Sequence, residues 1–324
     1  MRIPMLEDTD VLDYYPLKGG SLPPSSAVMT KLAAVPQKHR NIFQIDEFHS
    51  WFMDNKNKSH KEDLSSYYQF AGAINRAPII RFIIDRLCTD YPHLFKWHEN
   101  NNKLWVAFKL EFIQFDKDYE LIGAEDLFGN KPDYADALDA LAMQVPEDLV
   151  ICSVNSDGND FVSTAHLMSP AGWSASTVVG KSFAQIHERV TKVDGRPIIK
   201  NPSAMVNGII RMGTPVQRVG AISFRSDRVL NLHPNKFVEN KWTWNDDQQV
   251  YLRFERQTVI PFPEINSFLF TIKGYWANLL HPKRIDAAIL ALQNSHPNAY
   301  YRNFLNQEGE NLIDFLMKKK NCRL

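Results

Sequence analysis

The sequence predicts an α+β fold, and three observations point to it. Helical spacing of apolar residues dominates the first half of the chain. A hairpin signal follows at 150–168, where Asn155-Ser156-Asp157-Gly158 separates two strand-like runs. Beyond residue 214 the pattern turns to strands, in PVQRVGAISFR, QQVYLRFERQTVIPF and INSFLFTIKGYW. Such an order gives an antiparallel sheet with flanking helices and a helical N-terminal extension, not a doubly wound parallel sheet. No GxGxxG follows a strand, and GxxxxGK[ST], HExxH and GxSxG are absent.

Taken in order, residues 1–40 include GGSLPPSS and read as an arm without periodicity. A polar helix is expected over 46–63. A helix with one buried face is expected over 71–92, on Ile79, Ile80, Ile83, Ile84 and Leu87, stopping near Pro92. Residues 103–115 read as one or two strands. The stretch before Pro146 reads as a helix running into a strand at Leu149. Two helices follow the hairpin, one near 181–190 and one over 201–212. A last helix begins behind His281-Pro282 and leads into a polar tail. The expected organisation is an arm over 1–45, one α+β domain over 46–280, and a C-terminal helix and tail over 281–324.

Composition excludes several classes. Lys plus Arg and Asp plus Glu both count 37, so no global field would draw in nucleic acid or an anionic membrane. No apolar run approaches the ~20 residues that span a bilayer, and the acidic N-terminus lacks an apolar signal core. Cys88, Cys152 and Cys322 are too scattered for a disulfide framework or a cysteine-built metal site. A reduced, cytoplasmic protein is expected.

Three constellations could carry chemistry. His187 lies on a helical stripe with Phe183, Ala184 and Val190. It reads either as a core histidine or as an axial metal ligand, and periodicity alone favours the core. In RFERQT, strand alternation puts Arg253, Glu255 and Gln257 on one face and Phe254, Arg256 and Thr258 on the other. That row reads as a solvated face with ion pairs or as a carboxylate-binding and amine-facing surface. Glu147-Asp148 reads as a turn or as a proton-transfer pair, and Arg218 needs a partner if it points inward.

Taken together, these pieces resemble the haem-binding α subunit of the heme-dependent oxidative N-demethylases. The residues that carry the resemblance run from about Tyr91-Pro92 to Tyr275. They are Glu147-Asp148-Leu149; Pro170, Trp173, Gly180 and Ile186-His187; Pro215, Val216 and Arg218; Arg253, Glu255-Arg256-Gln257-Thr258-Val259 and Pro263; and Phe270-Thr271-Ile272-Lys273 with Tyr275. The resemblance implies a Per-Arnt-Sim-like sheet holding haem b, with His187 as the axial iron ligand. It implies Trp173, Arg218, Arg253 and Arg256 as cofactor contacts, and Glu255 and Tyr275 as catalytic groups. It also implies oxidation of an amine by O₂, with electrons from a separate flavin and iron–sulfur reductase. The chain departs from the family's pattern at Glu188-Arg189-Val190-Thr191, where A-P-V-P is usual, and at Gly220-Ala221, where Asn-Trp is usual. If Gly220 and Ala221 line the distal pocket, it is roomier or differently polarised. Rival readings are a haem or gas sensor, a haem carrier, and a scaffold that has lost haem.

Overall fold

The computed structural model describes residues 29–35, 39–72, 74–188, 192–193, 196–197, 201–236, 242–294 and 300–322. Most of the expected N-terminal arm, and Arg189, Val190 and Thr191, lie outside the described residues. The strands are β1 (Thr30–Lys31), β2 (Tyr68–Phe70), β3 (Phe95–His98), β4 (Lys103–Val106), β5 (Glu111–Phe115), β6 (Leu121–Asp126), β7 (Asp148–Val154), β8 (Asp160–His166), β9 (Lys192–Val193), β10 (Arg196–Pro197), β11 (Val216–Arg225), β12 (Tyr251–Phe262) and β13 (Ser267–Asn278). The helices are α1 (His49–Tyr67), α2 (Ala77–Asp90), α3 (Ala137–Ala142), α4 (Ala175–Val178), α5 (Phe183–His187), α6 (Pro202–Met212), α7 (Pro282–Gln293) and α8 (Tyr300–Asn321).

Mixed helix and antiparallel sheet make this an α+β fold. Seven strands form the main sheet in the order β1-β11-β12-β13-β7-β8-β2, every neighbouring pair antiparallel. β3 to β6 form a separate four-stranded meander, and β9 pairs with β10. The long, β-branched and aromatic runs of β12 and β13 suit central strands covered on both faces, and they are buried almost throughout.

On the back face, Leu149, Ile151, Ile260, Phe262 and Leu269 pack against the stripe of α2 and the inner side of the meander. Farther along, Leu252, Phe254, Tyr275 and Ala277 meet α7 and α8. On the front face, Val150, Cys152, Val216, Val259 and Phe268 pack against α4 and α6. β7 begins at Asp148, opposite Ile272 of β13. Past that point α1 takes the strand's place, packing Phe52 against Trp276 on the front and bringing its ring within 5.5 Å of the Lys273 ammonium.

The back core rests on complete exclusion of water. Ile83 of α2 is 0% exposed. Ile83→Ala is expected to cost about 2–5 kcal/mol, read as a lowered urea midpoint with an unchanged slope.

Two elements differ from the sequence reading. The helix expected near 181–190 is, among the described residues, only the short α5, and it is preceded by a separate turn, α4, and by Gly180 (φ +83°). Only a residue without Cβ enters that backbone region cheaply, so the chain breaks there and restarts at Ser182. The polar tail is instead the helix α8, which returns Leu312, Phe315 and Leu316 to the back core. Among the described residues no helix is long and apolar enough to cross a membrane.

Candidate functional site

The register of the central strands builds a polar surface on the front face. Residues directly opposite in an antiparallel pair point to the same side. Arg218, Gln257, Ile272 and Asp148 therefore form one row across β11, β12, β13 and β7. Gly220, Glu255 and Gly274 form the next, and Ser223, Arg253 and Trp276 the third. A bulge in β11 between Gly220 and Ser223 bends the strand beside this surface.

Within it the polar groups are chained. The Arg218 Nε donates to Gln257 Oε1 at 2.6 Å, and Gln257 Nε2 donates to Glu255 Oε2 at 2.9 Å. Arg253 Nη1 donates to the other carboxylate oxygen of Glu255 at 3.1 Å. Both oxygens of a buried acid are thus held, as burial of a charge requires. The Arg253 guanidinium lies 5.4 Å from the Trp276 ring. Burial presses Arg218 below its ordinary pKa, against the pull of Glu255.

α5 brings His187 to this surface. Ser182 caps the helix through a reciprocal pair with Gln185. Asp160, at the start of β8, accepts from Phe183 N at 2.7 Å and from Ser203 Oγ of α6 at 2.6 Å, tying both helix starts to one carboxylate. In the last turn the His187 Nδ1 donates to the Phe183 carbonyl at 2.9 Å, and the ring stacks on Phe183 with centroids 3.9 Å apart. Nδ1 therefore carries a proton, which in the neutral ring puts the lone pair on Nε2. Burial lowers the His187 pKa, the Phe183 carbonyl opposes this, and the nearby Arg218 charge lowers it further. A neutral imidazole with one nitrogen fixed to a backbone carbonyl is the state in which histidine ligates a metal.

The other residues singled out from the sequence lie outside this chain of hydrogen bonds. Arg256 is on the back face, donating to Gln217 Oε1 and to the carbonyls of Ile42, His39 and Asn41. Tyr275 is also on the back, opposite Phe254 in register and stacked on it at 5.5 Å. Trp173 packs at the margin of the front core. Glu147 accepts from Gln44 N at 2.8 Å, and Asp148 accepts from Met168 N at 2.8 Å and Ser169 N at 3.0 Å. Both acids hold backbone, and burial raises both pKa values, that of Asp148 to about 6.

Beside them lies a buried network with no counterpart in the sequence reading. Lys56 of α1 donates to the carbonyls of Ala142 (2.9 Å) and Glu147 (2.5 Å). Asp139 accepts from His166 Nε2 and His60 Nε2, each at 2.9 Å. These contacts join residues 27 to 91 apart in sequence, so local spacing carries no trace of them. The same holds for Asp160 and for the place of Trp276 beside Arg253.

The sequence profile of one family, described as haem-dependent oxidative N-demethylase, alpha subunit-like, matches residues 34–292. The chain belongs to this family. A comparison with curated proteins gives no match. Two features of this member suit the family's haem. His187 offers a neutral nitrogen beside a polar sheet face, and haem needs one protein ligand with the opposite side open. Arg253 Nε and Trp276 Nε1 are buried without a hydrogen-bond partner among the described residues, which is the kind of donor that a ligand's oxygens satisfy. Among the described residues, no group of three or more His, Cys, Asp or Glu side chains is placed to hold a bare metal ion.

Proposed function

We propose that the chain is a haem-dependent oxidase of amines, with haem b carried between α5 and the front face of a Per-Arnt-Sim-like sheet. The observation that carries this reading is the juxtaposition of His187, fixed through Nδ1, with the chain Arg218–Gln257–Glu255–Arg253. His187 would hold the haem iron, and its bond to Phe183 O sets the ring's direction. Bound haem would supply activation of O₂ and oxidation of an N-methyl group, with release of formaldehyde. Arg253 and Arg218 provide positive charge for the haem carboxylates, with Trp173 at the margin of the pocket. Arg256 and Tyr275 act through the back core.

Glu255 is the residue that meets the substrate. Its carboxylate attracts an ammonium and can take the proton that an amine must lose before its nitrogen is oxidised. Arg253 and Gln257 keep the carboxylate in one orientation, so little reorganisation accompanies substrate binding. Electrons come from a separate reductase carrying flavin and iron–sulfur centres. The ion-paired acid, linked through Gln257 to the Arg218 that lies near His187, favours turnover over gas sensing, which needs no proton acceptor. The test is formaldehyde release from secondary N-methylamines by haem-loaded protein supplied with O₂ and a chemical reductant. Formaldehyde above the level of free haem supports the reading; none from any amine tried contradicts it.

A further inference from the structure

His187 ends a helix of 5 residues, and isolated helices below roughly 12–15 residues are marginal in water. What fixes α5 is therefore whatever fixes its start. β8 supplies three hydrogen bonds there. Gly180 N donates to Val162 O at 2.8 Å, Val162 N donates to Lys181 O at 2.9 Å, and Phe183 N donates to Asp160 Oδ2 at 2.7 Å. The first two are bonds between backbone groups. The third depends on one side chain.

That side chain is held from two directions. Asp160 is 5% exposed, and its other oxygen accepts from Ser203 Oγ of α6 at 2.6 Å. Its carboxylate satisfies one of the amides that a helix start leaves without an intrahelical acceptor, and its charge lies at the favourable end of the helix dipole. From Asp160 to His187 the path crosses one residue. Phe183 gives its N–H to the carboxylate, and its carbonyl accepts from His187 Nδ1 at 2.9 Å. The ring that stacks on the imidazole is also that of Phe183. Asp160 thus fixes the residue that sets both the tautomer and the orientation of His187.

We propose that Asp160 is a positioning residue for the haem ligand: by anchoring Phe183 to β8 it sets the direction of His187 Nε2 and the strength with which the iron is held. It acts through Phe183 and not by contact with haem or substrate. The proposal rests on the haem reading above and adds to it the residue that orients the ligand.

The test uses the full chain loaded with haem b. Haem dissociation is followed by transfer to excess apomyoglobin, and the iron–histidine stretching band of the reduced protein is recorded by resonance Raman. Asp160→Ala leaves Phe183 N–H without its acceptor. Haem loss should then quicken about tenfold or more, the usual scale for partners that orient a metal ligand, and the band should shift. Asp160→Asn still offers an oxygen to Phe183 N and an N–H to Ser203 Oγ, so both readouts should stay at wild-type values. In His187→Gly supplied with imidazole, α5 no longer reaches the iron, and adding Asp160→Ala should leave haem dissociation unchanged. A folded Asp160→Ala with wild-type haem loss and band overturns the proposal. So does equal quickening in the His187→Gly background, which would make Asp160 a general brace of the fold, and so does an Asp160→Asn that loses haem as fast as Asp160→Ala. If Asp160→Ala does not fold, Ser203→Ala decides: it frees one carboxylate oxygen and should quicken haem loss about threefold, and no change overturns the proposal. A wild type that takes up no haem refutes the haem reading itself, and the positioning role falls with it.

Discussion

Asp139→Ala is expected to destabilise the protein by about 3–5 kcal/mol, because it strands a buried imidazole, a half-buried one and a backbone amide at once. The Asp139 side chain is fully buried and accepts from His166, His60 and Ala135 N. Burial by itself would raise its pKa, but the bonds from the two histidines hold the carboxyl well below the usual carboxylate range. Its folded pKa lies below the unfolded value near ~3.9, so its stabilisation is whole above that pH and is lost as pH falls through it. His166 adds an earlier loss. Burial lowers its pKa, against the pull of Asp139, so the neutral ring is the one that the fold accepts. That contribution is whole above the unfolded value near ~6.5 and declines as pH drops below it. Urea midpoints measured from about pH 8 to about pH 2 should therefore fall from about pH 6.5 downward. In Asp139→Asn, the part of the slope below about pH 4 should flatten. A midpoint that is flat with pH in the wild type would remove the network from the list of what holds this fold.

Glu255 is expected to separate stability from chemistry. Glu255→Ala leaves Arg253 buried and unpaired beside Trp276, at a cost of about 3–5 kcal/mol; the Arg253 and Glu255 side chains are 2% and 4% exposed. Glu255→Gln keeps the shape and a carbonyl for Arg253, and should cost much less. It removes the negative charge that attracts an ammonium and takes its proton, so formaldehyde release should drop by about 10²-fold or more. Haem content should be retained. Turnover by Glu255→Gln at the wild-type rate would return Glu255 to a purely structural role. The pair Arg253→Met with Glu255→Gln should recover stability relative to Arg253→Met alone, as removal of both charges leaves no buried orphan.

The site's main row was legible because alternation is local. RFERQT places Arg253, Glu255 and Gln257 on one side without knowledge of any neighbour, and the same rule already put Arg256 on the other. The position of Tyr275 was not legible. Its face depends on its pairing with Phe254, and register between strands is written nowhere in either strand alone. The break at Gly180 had a signal, since a glycine between two capping sequences is a stop and a restart. The helix α8 had one too, in Leu312, Phe315 and Leu316 at helical spacing, obscured by the polar residues around them. Asp160, Asp139 and Lys56 had none: each acts across elements distant in sequence, so only the folded arrangement gives them partners. The two readings of His187 both survive in part. It has the satisfied hydrogen bond of a core histidine, through Nδ1 to Phe183 O, and that same bond is what would ready Nε2 for iron.

The central claim is that His187 holds the haem. Its most direct test is the absorption spectrum of the protein produced with a haem precursor, beside His187→Ala prepared in the same way. The expected result is a Soret band that shifts with dithionite and again with carbon monoxide in the wild type, and that collapses or moves in the variant. A wild type without a Soret band after reconstitution with haem, or a variant whose spectrum matches the wild type, would contradict the claim and leave His187 as a histidine of the core.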